Sequence, residues 1–287
     1  MTDLSSFIGR EEVVHDFSDR HRIARLAALL DHETSFLAPD VLPPLGHWLC
    51  FLPGDRQSRI GPDGHPLRSG EGLLPNVDLP RRMWAGSRIR FLGDIALDAP
   101  ISRRSRVIAA DFKSGRSGEM LFVTLRHEIA EHGQAEQIVE EQDIVYRQSV
   151  SSVEPFARRT LAVEGQDAAV RCVTPDPIML FRYSALTFNS HRIHYDRDYA
   201  RDKEGYPGLV VQGPLMATLL MDHLLRTEPR AKVVRFNFRA VSPVFDGEEV
   251  LCGWSADGDL RRLRAIGPFG PATIAEAELD ASCPAKN

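Results

Sequence analysis

The 287-residue chain has few cysteines, very few lysines and no long apolar run, and each shortage excludes something. Its four cysteines, Cys50, Cys172, Cys252 and Cys283, stand far apart, form no Cys-x-x-Cys pair and follow no secretory signal. They read as free thiols of a reducing compartment. Only four of the 35 basic residues are lysine, no basic run exceeds three residues, and the formal net charge is −5. That balance offers no general attraction to nucleic acid or anionic lipid. Nowhere do eighteen apolar residues run together, which argues against an apolar membrane-spanning helix. The expectation is a soluble, cytoplasmic protein with neither nucleic acid nor membrane as partner. Gly-x-Ser-x-Gly, a phosphate loop and Gly-x-Gly-x-x-Gly are all missing, so serine-nucleophile, nucleoside-triphosphate and dinucleotide chemistry lose ground.

What is present divides into two halves. Residues 1–150 and 171–287 are separated by a polar, proline-interrupted linker at 151–170. In the first half, DRHRIARLAALLDH carries Ile23, Leu26, Ala27 and Leu30 at helical spacing, with Asp19 or Ser18 as N-cap. A long Gly- and Pro-rich loop over 53–82 follows, and then four strand candidates. The second half repeats this order: a polar loop, an apolar helix at 213–226, and four further strands. The repetition predicts a duplicated helix-plus-antiparallel-sheet unit of α+β class.

Two segments of the second half carry the chemistry. TFNSHRIHYD, residues 187–196, places His191 and His194 three apart, behind Asn189. A zinc site would use both histidines with Asp196 or Asp198, but no second cluster at ligand spacing supports it, and the histidines of HEIAEH at 127–132 are five apart rather than four. No metal is expected. A neutral imidazole near pKa 6.5 can take a proton from water, and a neighbouring amide can hold that water. The second segment, QGPLMATLLMDHLLR, pairs Gly213 with Pro214 as a helix start; its free N–H groups suit a developing oxyanion. A base and an oxyanion site a short run apart are the parts needed to add water to an α,β-unsaturated thioester.

FNSHRIHYDRDYARDKEGYPGLVVQGPLMATLL resembles the hydratase signature of the MaoC-like, R-specific enoyl-CoA hydratases of hot-dog fold, and VRFNFRAVSPVFDGEEV is similar to their following strand-turn-strand. DGHP, LPRRMWAGSRIRF, GRSGEMLFVTLRHEI and EEQDIVYR look like the first half of the two-unit members, most of all those hydrating mesaconyl-C4-CoA or itaconyl-CoA. The resemblance implies a double hot-dog: a degenerate, substrate-shaping first domain and a catalytic second one. It implies reversible hydration of an enoyl-CoA, with coenzyme A entering as part of the substrate, no separate cofactor, and a homodimer. Residue by residue, His194 becomes the general base and Gly213 the oxyanion donor, with Gln212 beside it. Asn189 stands where the motif has aspartate, and His191 where asparagine is common. A dicarboxylic acyl group also needs a cation: Arg82, beside Trp84, is preferred, and Arg235 and Arg239 are the other candidates. A hot-dog thioesterase and a non-catalytic acyl-CoA or acyl-carrier binding module are the competing functions.

Overall fold

A computed structural model describes residues 4–32, 40–115, 118–148, 167 and 169–281. Most of the expected linker at 151–170 lies outside the described residues. Ten antiparallel strands form one sheet: β1 (Glu11–Phe17), β2 (Arg81–Phe91), β3 (Pro100–Gly115), β4 (Gly118–Glu131), β5 (Ile138–Arg147), β6 (Ala169–Val173), β7 (Val233–Ala240), β8 (Val250–Asp257), β9 (Leu260–Gly267) and β10 (Gly270–Leu279). Their order across the sheet is β1-β3-β4-β5-β2-β7-β10-β9-β8-β6. Renumbered within each half, both halves have the order first-third-fourth-fifth-second, and they meet second strand to second strand. The repeated element order in the sequence is therefore a repeated topology, and the double hot-dog architecture follows.

The seam between the halves is the antiparallel pairing of β2 with β7, from Gly86 opposite Arg239 to Arg90 opposite Arg235. It is tight at one point. A Cβ on Gly86 would lie 2.3 Å from the Phe238 carbonyl oxygen, closer than any side chain tolerates.

Helix α1 (Arg20–Leu29) follows β1, and α2 (Pro177–Leu186) follows β6 at the equivalent place. Each starts on an aspartate, Asp19 accepting from the His21 N–H and Asp176 from the Met179 N–H, both at 2.7 Å. Beyond them the halves diverge. The second half continues through the short α3 (Arg197–Asp202) into α4 (Gly213–Thr227), whose residues Leu215 through Leu224 are all buried. Among the described residues the first half has no such helix. Leu4, Phe7, Val77 and Leu79 pack instead against Leu121, Val123 and Tyr146 of β4 and β5, so a terminal segment and the long loop cover this part of the sheet.

A cavity of about 1200 Å³ is lined from both halves, with His65, Arg82 and Trp84 of the first and His194 and Gly213 of the second among its walls. No helix among the described residues is long and apolar enough to cross a membrane.

Candidate active site

The histidine loop is a short path between α2 and α3, held at both ends by its own polar groups. The Asn189 N–H donates to the Ser184 carbonyl at 2.8 Å, and the His191 N–H donates to Asn189 Oδ1 at 3.1 Å. Asp196 caps α3 through the Tyr199 N–H and pairs with Arg192 at 2.7 Å. Between these anchors a 3-10 turn, Arg192–His194, delivers the His194 ring to the cavity wall.

His194 is buried, and its Nδ1–H donates to the Val210 carbonyl at 2.6 Å. That bond fixes the tautomer: Nδ1 carries the proton and Nε2 is left as a bare acceptor. Burial pushes the imidazole pKa down to about 4, so the ring is neutral near pH 7.

Among the described residues α1, α2 and α3 begin on an aspartate cap; α4 does not. Its N-cap residue, Gln212, turns its side chain away, donating from Nε2 to the Leu180 carbonyl at 2.9 Å and to Ser184 Oγ at 3.0 Å. The N–H groups of Gly213 and Leu215 therefore open the helix without a side-chain partner, and Gly213 lines the cavity. A Cβ at Gly213 would come within 3.7 Å of the Trp84 carbonyl oxygen. Gln212 thus supports the site through α2, and its amide does not extend to the helix mouth.

The remaining expected residues divide by strand parity. On β2, Arg82 and Trp84 line the cavity, while Met83 between them is exposed. The Trp84 indole N–H donates to Ser87 Oγ at 3.0 Å, and its ring meets Trp48 edge-on with centroids 5.1 Å apart. Ser87 and Trp48 in turn donate to Glu140, a fully buried carboxylate also bonded to His47 at 3.0 Å. Burial would raise the Glu140 pKa, but its His47 partner outweighs this and holds it at about 2. The two indoles are thereby fixed by one buried anion. Arg82 approaches the buried Tyr146 hydroxyl without completing a hydrogen bond, and among the described residues it has no carboxylate partner. Arg68 also lines the cavity, its guanidinium 5.3 Å from the Tyr146 ring centroid.

Arg235 and Arg239 are not brought to the site. On β7, Phe236 and Phe238 take the core face, so period-two alternation turns both arginines outward, where Arg235 pairs with Glu278. Neither can hold a carboxylate inside the cavity, which leaves Arg82 as the expected cation that lines it.

Sequence reasoning missed a pair from the first half. Asp63 and His65, in the DGHP of the long loop, sit against the histidine loop of the second half. Asp63 Oδ2 lies 3.0 Å from His65 Nδ1, and Asp63 Oδ1 accepts the His65 backbone N–H at 3.0 Å. The His65 ring is 4.0 Å from that of His191, centroid to centroid, and His191 is 5.3 Å from His194. Burial first, and then its two imidazole neighbours, push His191 down to about 2. The available signal was an aspartate two residues before a histidine in a glycine turn, which could not show what the loop packs against.

The chain carries a match to the family model of hydroxyacyl-thioester dehydratase type 2 over residues 45–246. It is 44% identical over 273 residues to the mesaconyl-C(4)-CoA hydratase of Chloroflexus aurantiacus, covering 95% of this chain and 96% of that one. Over 89 residues it is 43% identical to the mitochondrial hydroxyacyl-thioester dehydratase type 2 of Schizosaccharomyces pombe, 30% of each chain. A MaoC-like dehydratase from Phytophthora capsici shares the fold at TM-score 0.69 with 12% identity, covering 97% of both chains. A Mycobacterium tuberculosis protein described as a double hot-dog does so at TM-score 0.56 with 14% identity, over 95% of this chain and 96% of that one. Model and relative both span the histidine loop, the start of α4 and the β2–β7 seam, so the chain belongs to the hydroxyacyl-thioester dehydratase type 2 family.

Proposed function

We propose that this protein catalyses the reversible hydration of an enoyl-CoA thioester, with a small branched dicarboxylic acyl group, mesaconyl-C4-CoA or itaconyl-CoA, hydrated to citramalyl-CoA. One observation carries it: a buried imidazole with its tautomer locked lines the same cavity as an uncapped helix N-terminus. The thioester oxygen accepts from the Gly213 N–H, where the helix dipole favours the negative charge that develops on that oxygen. His194 Nε2 takes a proton from water, the hydroxide adds at the β-carbon, and the π electrons move onto the thioester oxygen as an enolate. The enolate collapses as its α-carbon takes the proton back from His194. Both transfers from one ring give syn addition. The charge balance asks for no cofactor beyond the coenzyme A that the substrate carries. Arg82 supplies the cation for the free carboxylate, and the neighbouring guanidinium of Arg68 supports the preference for an acidic acyl group.

The 44% relative's activity supports the acyl class. An absorbance assay across crotonyl-, longer enoyl-, mesaconyl- and itaconyl-CoA tests it. Preference for the dicarboxylic esters, lost in Arg82→Met, and a fall of about 100-fold or more in kcat for His194→Ala are the expected results. Release of free CoA thiol in place of hydration would make the protein a thioesterase.

A further inference from the structure

Asn189 cannot serve as a second proton acceptor in this site. Its Oδ1 accepts the His191 backbone N–H, its amide nitrogen can only donate, and an amide oxygen is too weak a base to take a proton from water. Water held for attack has two O–H groups, and the His194 Nε2 lone pair answers for one of them. The structure assigns the second to the first half of the chain: we propose that His65, held by Asp63, is a water-binding catalytic residue of the same site. This rests on the hydratase function proposed above.

The geometry repeats that of His194 with a stronger anchor. His65 Nδ1–H donates to the Asp63 carboxylate at 3.0 Å, which leaves Nε2 bare, as the Val210 carbonyl does for His194. Both histidines line the cavity, one on each side of His191. The loop carrying Asp63 and His65 is fastened to the catalytic loop by its backbone. The Arg192 N–H donates to the Asp63 carbonyl at 2.9 Å, the Arg192 guanidinium to the Pro62 carbonyl at 2.9 Å, and Ser190 Oγ to the Gly64 carbonyl at 2.5 Å. Gly64 has φ of +91°, and a Cβ there would fall 1.8 Å from the Ser190 carbonyl oxygen. Such closeness places the His65 ring with little freedom.

Charged and titratable groups around His65 keep it an acceptor. Burial, with Arg82 and Arg68 nearby, pushes its pKa below the usual 6.5 against the pull of Asp63; His191 and His194 complete the set. A neutral His65 accepts one O–H of the water while His194 takes the proton of the other. The oxygen lone pair is then fixed toward the β-carbon. In that step one O–H bond of water breaks, the C–O bond forms, and the proton on His194 passes to the α-carbon. His65 gains and loses only a hydrogen bond.

Two measurements test the proposal. In His65→Ala, kcat for enoyl-CoA hydration falls about 100-fold or more while KM changes less than about threefold, and added imidazole restores part of the loss. His65→Gln, which keeps an acceptor oxygen in a similar volume, falls less. A packing role alone would give no rescue by imidazole. Activity of His65→Ala within threefold of the parent, or a loss that imidazole leaves untouched, overturns the assignment. Independently of turnover, the imidazole 15N spectrum of the parent near pH 7 shows His65 as the neutral tautomer protonated at Nδ1. A cationic ring or protonation at Nε2 overturns the proposal whatever the substrate. A parent that hydrates none of the esters overturns the hydratase function instead.

Discussion

His194 has a folded pKa near 4 and an ordinary unfolded value near 6.5, so the unfolded chain binds a proton that the folded one refuses. As pH falls from 6.5 toward 4, this residue withdraws stability, reaching about 3 kcal/mol below pH 4. Two histidine-paired carboxylates add to the loss further down. Asp63 and Glu140 are both held near 2 by their histidine partners against the effect of burial, so the stability they contribute is present above about pH 4 and lost as pH falls through their folded values. Thermal melts from pH 7 to 4 are expected to show a steady fall in Tm, and His194→Gln flattens the part above pH 4.5. An unchanged slope in that variant would show that another group carries the acid limb. Such coupling was half visible in the bare chain. His194 and Gly213 could be paired as candidates because the histidine loop and the Gly-Pro helix start lie a short run apart in the chain, and both line one cavity. Asp63 and His65 could not, because their chemistry depends on a contact some 125 positions away along the chain, which no local spacing encodes.

At the scale of elements, what could be read was whatever has a period. The first helix, its aspartate cap, the helix at 213 and the eight strands after the two loops all appear where alternation and helical spacing put them. Strand parity could also have removed Arg235 and Arg239, since Phe236 and Phe238 on the same strand claim the inner face. What has no period is the pairing of β2 with β7, which joins the halves. Gly86 marks that seam, and its need is steric: its neighbour across the strand leaves no room for a methyl group. Gly86→Ala is expected to lower stability by about 1–3 kcal/mol, the usual cost of overpacking, measured by denaturant unfolding. An equivalent change at Gly54, where an added Cβ meets nothing within 4 Å, is expected to leave the transition nearly where it was.

For the whole molecule, the consequence lies in the long helix that the second half has and the described residues of the first do not. Two identical hot-dog units would each bring a helix N-terminus and a histidine loop, and any change to one would be made in both. A single chain with two unlike halves escapes that constraint. The second half brings the helix N-terminus proposed to hold the oxyanion, and the first brings a loop that lines the same cavity. Counting follows from this asymmetry. A saturating acyl-CoA analogue should titrate one site for every 287-residue chain, not one for every hot-dog unit, and calorimetry reads that ratio directly. Two sites per chain would mean that the first half still binds a thioester by itself. A stoichiometry of one would mean that the two unlike halves share a single thioester site.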